Sequence, residues 1–173
     1  RIIPVRLTSK QLFPCSIIFV VALLLIFGYY LEHYQKLVPC PLCILQRICY
    51  LGVLTSALLN LFIFKTPKLS VVPNIGMIFF SLLGLIIAGR HVWLQRFADS
   101  ESLECLPSLE FLFTNFPLRE TIYKLYLGGA ECAHVDWTFL GGSIADWSAL
   151  FFFGLFASTG VFTILSSQIK QTG

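Results

Sequence analysis

The sequence predicts an all-α membrane protein, an antiparallel four-transmembrane-helix bundle with a long loop between helices 3 and 4. Hydrophobic residues make up 57% of the 173 residues, and the mean hydropathy is +0.81. This is more apolar surface than a soluble domain of this size can bury. Apolar segments near the ~20 residues that a helix needs to cross a bilayer occur four times. Charged residues are scarce, at 12% of the chain, and lie mostly outside those segments.

The four predicted helices cover about residues 14–34, 43–64, 71–97 and 144–167. The segment Lys65–Ser70 joins the second helix to the third, with Pro67 as a helix breaker. Short connections make successive helices antiparallel neighbours. We therefore expect one integral membrane domain over residues 1–173.

The loop, about residues 98–143, has helical signals of its own. Pro107 to Phe116 is a candidate helix, because proline is tolerated in a first turn, and Pro117 ends it. Residues 118–127 have apolar positions at helical spacing, and Gly128 can end that segment. Its apolar face fits a position on the membrane surface and packing on the helix ends equally well.

The charges orient the bundle. Basic residues without acidic neighbours precede the first helix, separate the second from the third, and follow the fourth: Arg1, Arg6, Lys10, Lys65, Lys68 and Lys170. The loop holds most of the acidic residues. The positive-inside rule then predicts that both termini and the Lys65–Lys68 turn are cytoplasmic and that the long loop lies outside. Scattered basic residues form no nucleic-acid patch, so no nucleic-acid partner is expected.

The sequence Pro39-Cys40-Pro41-Leu42-Cys43 places a C-x-x-C motif where the second helix begins. Such a spacing lets two sulfurs form and break a disulfide, and a helix N-terminus stabilises the thiolate. The alternatives are a static disulfide and half of a zinc site completed by Cys105, Cys132 or His134. We favour redox activity.

Arg47 follows Cys43 by one helical turn. A charge within a membrane is costly and indicates a functional site, although snorkelling to the interface is the alternative. Arg90 and His91 lie about two turns before the third helix ends, at a similar expected depth. A carbonyl-bearing lipid such as a quinone would find hydrogen-bond donors there, although Arg90 and His91 fit helix capping or headgroup contacts as well.

The remaining cysteines fall into two groups. Cys105 and Cys132 lie in the loop, where they are either a fixed staple or a second, exchangeable disulfide. We interpret Cys15 and Cys49 as packing residues within apolar helices.

The chain resembles the DsbB-type disulfide bond oxidases of bacterial inner membranes, and the likeness covers nearly all of it. Vitamin K epoxide reductase-like proteins are also four-helix C-x-x-C quinone enzymes, but their C-x-x-C follows the loop cysteines. The motifs, in order, are Pro39-Cys40-Pro41-Leu42-Cys43, Gln46-Arg47, Gly52, Arg90-His91-Val92-Trp93-Leu94-Gln95, Cys105-Leu106-Pro107, Glu131-Cys132 and Trp137-Thr138-Phe139-Leu140-Gly141.

The resemblance implies a mechanism. A reduced periplasmic DsbA-like protein of thioredoxin fold would attack a Cys105–Cys132 disulfide and form a mixed disulfide with Cys105. Cys132 would exchange with Cys40, and Cys43 would face a quinone from the membrane pool, ubiquinone or menaquinone, with Arg47 stabilising its charge. The stretch from Asp99 to Glu104 is short for the family, which bears on the reach of Cys105. A different class of function would be a disulfide-stapled four-helix scaffold without catalysis.

Overall fold

The computed structural model describes residues 9–36, 40–63, 70–98, 104–107, 109–135 and 137–171. Most of the predicted turn Lys65–Ser70, the acidic stretch after Ala98 up to residue 103, and the basic residues Arg1 and Arg6 lie outside these ranges. The elements in chain order are α1 (Ser9–Tyr34), α2 (Pro41–Ile63), α3 (Val71–Phe97), α4 (Leu109–Asn115), α5 (Leu118–Leu127), α6 (Ala130–Ala133), β1 (Thr138–Phe139), β2 (Gly142–Ser143) and α7 (Ile144–Gln171).

The predicted architecture is confirmed. Within the described ranges, four helices are long and apolar enough to cross a membrane: Gln11–Tyr34, Pro41–Ile63, Val71–Phe97 and Ile144–Ser166. Their outer surfaces carry large apolar side chains, as a lipid-facing surface requires. Among these are Phe19, Ile26, Phe62, Ile75, Phe79, Phe153 and Ile164.

Two helix starts differ from the sequence-based boundaries because of proline. α1 begins at Ser9, and Pro14 lies inside it. The carbonyl that Pro14 leaves without a helical donor belongs to Lys10, in the first turn, so the break costs little there. α2 begins at Pro41, whose fixed φ suits a first helical position. Cys40 therefore immediately precedes the helix, and Cys43 lies in its first turn.

The core is formed where α2 and α3 pack together and α1 and α7 cover them. Tyr50 of α2 stacks on Phe152 of α7, with 4.1 Å between the ring centroids. Gly84 of α3 faces the same ring, and a Cβ on it would lie 2.2 Å from a ring carbon of Phe152. Only glycine lets α3 and α7 approach this closely. Cys49 is buried in this core, as its apolar surroundings predict.

The loop folds over one end of the bundle, the end where α2 begins and α3 finishes; we call this the loop end. α4 lies within the predicted 107–116 helix, and α5 matches the predicted 118–127. Gly128, at φ 71°, ends α5 in a backbone conformation that glycine adopts easily. On α5, Leu125 packs inward, whereas Leu118 and Ile122 are exposed. Some of its apolar residues thus pack inward on the helix ends, and others are exposed, as a position on the membrane surface would require.

Two elements of the loop were not predicted. α6 is only 4 residues long, too short for a periodic signal. The hairpin pairs Thr138 with Ser143 and Phe139 with Gly142. Its turn places Leu140 and Gly141 at φ 50° and 82°, as a type I′ turn requires. Leucine is an unusual first residue for such a turn, so the usual Asn-Gly signal is missing.

Candidate redox site

Cys40 and Cys43 face each other at the start of α2. Their Sγ atoms are 3.2 Å apart, and the backbone N–H of Cys43 donates to the Cys40 sulfur over 3.4 Å. Cys40 is buried and Cys43 is partly exposed. A short rotation of either side chain brings the sulfurs to bonding distance. The helix N-terminus supplies the unpaired N–H groups that stabilise a thiolate.

His91 lies against this pair. Its Nε2 is 3.6 Å from the Cys40 sulfur, and its Nδ1 is 3.2 Å from the side-chain nitrogen of Gln46. The amide nitrogen of Gln95 is 3.4 Å from Nε2, and the hydroxyl of Ser143 donates to the Gln95 carbonyl oxygen over 2.6 Å. A buried polar chain therefore connects α2, α3 and β2 and fixes the imidazole next to the redox thiols.

Gln46 was not among the sequence-predicted site residues, although a signal for it existed. It follows Cys43 by three residues on α2, so it lies on the same helix face. Polar side chains in an apolar segment are costly unless they have a partner. Gln46 is 4% exposed, and its partner is His91. The sequence pattern alone does not pair it with a residue on another helix.

Cys132 is fully buried on α6 and lies against Cys40. Its thiol makes a hydrogen bond with the Cys40 side chain, and the backbone groups of Leu42 and Gly129 are directed at it. The hydrogen bond with Cys40 and the burial together raise the pKa of Cys132 far above the usual thiol range. The short helix α6, between Gly129 and His134, thus places a loop cysteine next to the C-x-x-C motif.

Cys105 is exposed on the other side of α6. Its segment is held across the start of α6 by two hydrogen bonds. The N–H of Ala130 donates to the Glu104 carbonyl over 3.3 Å, and the N–H of Leu106 donates to the Glu131 carboxylate over 3.1 Å. The segment of Cys105 is therefore tied to the start of α6, and Cys105 is exposed whereas Cys132 is buried at Cys40.

Arg47 forms an ion pair with Glu32 of α1, and it also donates to the carbonyl of Gly28 over 3.3 Å. Both charged side chains are about one-third exposed. The sequence analysis missed Glu32, although an acidic residue inside a predicted membrane helix is itself a signal. The cost of placing Arg47 within the bundle is thus offset by a carboxylate on a neighbouring helix.

A cavity of about 790 Å³ opens beside these residues. Cys43, Arg47, Gln46 and His91 contribute polar atoms to its wall. Most of the rest is apolar and comes from α1, α7 and the hairpin, including Leu23, Phe27, Trp137, Phe139, Trp147 and Phe151. The space is large enough for an aromatic head group and has few, well-placed polar atoms, as ligand pockets usually do.

Arg90 does not face this cavity, contrary to the sequence-based expectation. Its guanidinium donates to the carbonyl of Leu127 over 3.1 Å and lies 4.7 Å from the centre of the Trp93 ring. Adjacent helical residues point about 100° apart, so Arg90 and His91 cannot both face the thiols. Of these two residues, His91 is the one that lies at the thiols.

Among the described residues, Cys40, Cys43 and His91 offer metal-ligating atoms that all lie within 4.8 Å of one another. The three residues that the sequence suggested as further zinc ligands lie in different places. Cys105 and His134 are exposed on the loop, whereas Cys132 lies at Cys40. The nitrogen ligand nearest the motif is therefore one that the sequence had associated with quinone.

Comparison with known proteins identifies the family of this chain. The family model described as disulfide bond formation protein DsbB matches residues 10–162. A "Disulfide bond formation protein B" from Nitrosococcus oceani is 39% identical over 159 residues, which cover 90% of this chain and 88% of that protein. The protein of the same name from Methylococcus capsulatus is 36% identical over 165 residues, covering 91% and 93%. The one from Stutzerimonas stutzeri is 40% identical over 136 residues, covering 78% and 82%. This four-helix chain belongs to the DsbB family of disulfide bond formation proteins.

Proposed function

We propose that this chain is a protein dithiol:quinone oxidoreductase that reoxidises a DsbA-like periplasmic protein of thioredoxin fold and passes the electrons to a membrane quinone. The observation that carries the proposal is the position of Cys132, hydrogen-bonded to Cys40 while its neighbour Cys105 is exposed. Because Cys43 lines the cavity, the four sulfurs lead from the loop surface to a space inside the bundle.

The thiol steps balance as a series of exchanges. A partner thiolate attacks Cys105, which breaks the Cys105–Cys132 disulfide and frees the Cys132 thiolate. Cys132 attacks Cys40, which breaks Cys40–Cys43 and leaves Cys43 as a thiolate. The second partner thiolate then displaces Cys105, and the oxidised partner departs. Finally Cys105 attacks Cys132, which restores their disulfide and leaves Cys40 and Cys43 reduced.

The residues around Cys40 and Cys43 suit the reduced dithiol that the final exchange leaves. Cys43 lies in the first turn of α2, where the helix dipole stabilises negative charge. Arg47, one turn further along α2, adds a positive charge on the cavity side. His91 Nε2 is placed to exchange a proton with the Cys40 sulfur, 3.6 Å away. The reduced dithiol can thus release electrons from Cys43 on the cavity side and a proton from Cys40 to His91.

The cavity residues fit a quinone. Its walls are apolar and aromatic, and Arg47 has five N–H donors, of which Glu32 and Gly28 accept only some. A bound quinone would accept two electrons and two protons from the dithiol and leave as quinol. Arg47 would hold its oxygen, and the aromatic wall from the hairpin and α7 would exclude water.

The same proposal places the chain in the bacterial inner membrane with the loop end on the periplasmic side and both termini in the cytoplasm. The distribution of basic and acidic residues supports this orientation. On the periplasmic side, thiol partners are available and disulfides persist.

Two rival functions fit less well. A vitamin K epoxide reductase-like enzyme would have its C-x-x-C after the loop cysteines, whereas here Cys40 precedes Cys105. A stapled scaffold would give no reason for burying Cys132 and His91 against Cys40.

The direct test is quinone reduction by the purified chain with a reduced thioredoxin-fold protein as electron donor. We expect quinol to form in amounts equal to the partner disulfide produced. The Cys49→Ala variant, which changes a core cysteine outside the path, should retain this stoichiometry. Partner oxidation without quinol formation would contradict the proposed acceptor.

A further inference from the structure

We infer that the reduced redox site is also a binding site for a thiophilic divalent cation of the Zn²⁺ class. Cys40, Cys43 and His91 supply three ligands, whose donor atoms all lie within 4.8 Å of one another. This inference concerns these three side chains and does not depend on the electron acceptor proposed above.

The spacing of the donor atoms is close to that of a tetrahedral zinc site. With Zn–S near 2.3 Å and Zn–N near 2.0–2.1 Å, tetrahedral ligands lie about 3.8 Å apart for two sulfurs and about 3.6 Å apart for sulfur and nitrogen. Here the Cys40 sulfur is 3.6 Å from His91 Nε2 and 3.2 Å from the Cys43 sulfur. The two sulfurs would separate by roughly half an ångström to admit the ion.

Three protein ligands leave the fourth position of the tetrahedron to water or to a further donor. Cys132 on α6 is not among the donors within 4.8 Å of one another, but its thiol interacts with Cys40. A cation held by the start of α2 and the loop-end half of α3 would therefore lie beside the loop.

The surroundings support metal binding in two further ways. A zinc-bound histidine donates its second ring N–H to an outer acceptor. The side-chain amide of Gln46 lies 3.2 Å from His91 Nδ1, and turning this amide by 180° would present its carbonyl oxygen to accept that proton. Charge also balances, because Zn²⁺ with two thiolates and a neutral imidazole carries no net charge.

Redox state would control this site. Binding replaces thiol protons with the cation and moves no electrons, so it requires the reduced sulfurs and cannot occur on a Cys40–Cys43 disulfide. A bound cation would in turn occupy the lone pairs that Cys40 and Cys43 need to form their disulfide. The cation would thus hold the site reduced and block turnover.

The test is an anaerobic titration of the reduced, detergent-purified full chain with Co²⁺, followed by displacement with Zn²⁺. We expect about one cation per chain and the thiolate-to-metal absorption of a tetrahedral Co²⁺ site. The oxidised chain has the same fold and serves as the control, in which this absorption should be missing. Equal binding by oxidised and reduced chains would overturn the inference.

Variants locate the site. His91→Gln should weaken Zn²⁺ binding by more than about tenfold, the low end reported for losing even an outer hydrogen-bond partner. Cys49→Ala removes a thiol outside the cluster and should bind as the wild type does. Wild-type affinity in His91→Gln would mean binding by thiols elsewhere and would also overturn the inference. Quinone reduction, measured separately on the metal-free chain, reports on the proposed function and can fail without affecting this result.

Discussion

Arg47 of α2 and Glu32 of α1 form an ion pair on the wall of the cavity that Cys43 also lines. The pair explains how a guanidinium is retained inside an apolar bundle, and it fixes the direction in which the spare Arg47 donors point. It also joins α1 to α2 next to the thiols. Glu32 is therefore a positioning residue for Arg47.

Glu32→Gln should raise the apparent quinone KM by about two- to fivefold. A partly exposed ion pair contributes at most about 1 kcal/mol, which corresponds to roughly fivefold in affinity. Mixed-disulfide formation between the partner and Cys105 should be unchanged, because Cys105 is exposed on the loop and does not line the cavity. Arg96→Gln, which breaks the separate Arg96–Asp146 pair, is the matched control. A wild-type KM in Glu32→Gln would show that Arg47 needs no positioning.

Replacing Arg47 itself should have a larger effect. A hydrogen bond to a charged group contributes on the order of 1.5–3 kcal/mol, or roughly ten- to a hundredfold. Lysine keeps the charge but not the planar set of donors. We therefore expect Arg47→Lys to weaken quinone use by at least about tenfold and Arg47→Ala to weaken it further. Quinone KM measured beside mixed-disulfide formation separates this from a folding defect, and wild-type quinone kinetics in Arg47→Ala would refute the role.

The two loop cysteines should differ in how readily a thiol reagent reaches them. Cys105 is exposed and Cys132 is fully buried. A membrane-impermeant thiol reagent applied to intact, reduced spheroplasts should label Cys105, and should reach Cys132 only after denaturation. Mass spectrometry of the labelled peptides gives the result. Labelling of Cys105 only after the membrane is permeabilised would reverse the proposed orientation.

Gly84 and Gly89 offer a paired test of the packing between α3 and α7. A Cβ at Gly84 would overlap the Phe152 ring, so Gly84→Ala should destabilise the bundle by about 1–3 kcal/mol. Nothing lies within 4 Å of a Cβ at Gly89 on the same helix. Gly89→Ala should be neutral or stabilising by up to about 1 kcal/mol, because alanine favours helix. Thermal unfolding in detergent should rank the variants in this order, and equal melting temperatures would contradict the packing.

The sequence predicted the four long helices well because apolar length is a strong signal, and the bounds of α3 agree to the residue. It also placed Cys49 among packing residues, and Cys49 is buried in the core. It did not predict the contacts between helices. Glu32 with Arg47, and Gln46 with His91, join residues distant in the chain. Nor could it show that Arg90 turns away, because that depends on the rotation of α3 about its axis. The burial of Cys132 depends on α6, which is too short to leave a pattern.

The high pKa of Cys132 has a consequence for pH. Only the thiolate attacks a disulfide, and burial still raises the pKa of Cys132 when Cys40 is part of the Cys40–Cys43 disulfide. The thiolate fraction, and with it the rate of attack on Cys40, should therefore increase with rising pH from 6 to 8, by up to about tenfold per pH unit. Rapid acid quenching with thiol mapping measures that rate. A rate independent of pH would mean that Cys132 is already ionised.

The most direct test of the account is the disulfide map of the oxidised chain mixed with a partner that keeps only its attacking cysteine, quenched in acid. Such a partner can attack the Cys105–Cys132 disulfide but has no second thiol to displace Cys105, so the exchange stops at the mixed disulfide. We predict partner linked to Cys105, a peptide pair linking Cys40 to Cys132, and Cys43 as a free thiol. The same map from a Cys49→Ala chain should be identical. Partner linked to Cys105 with Cys132 as a free thiol and the Cys40–Cys43 disulfide intact would contradict the account.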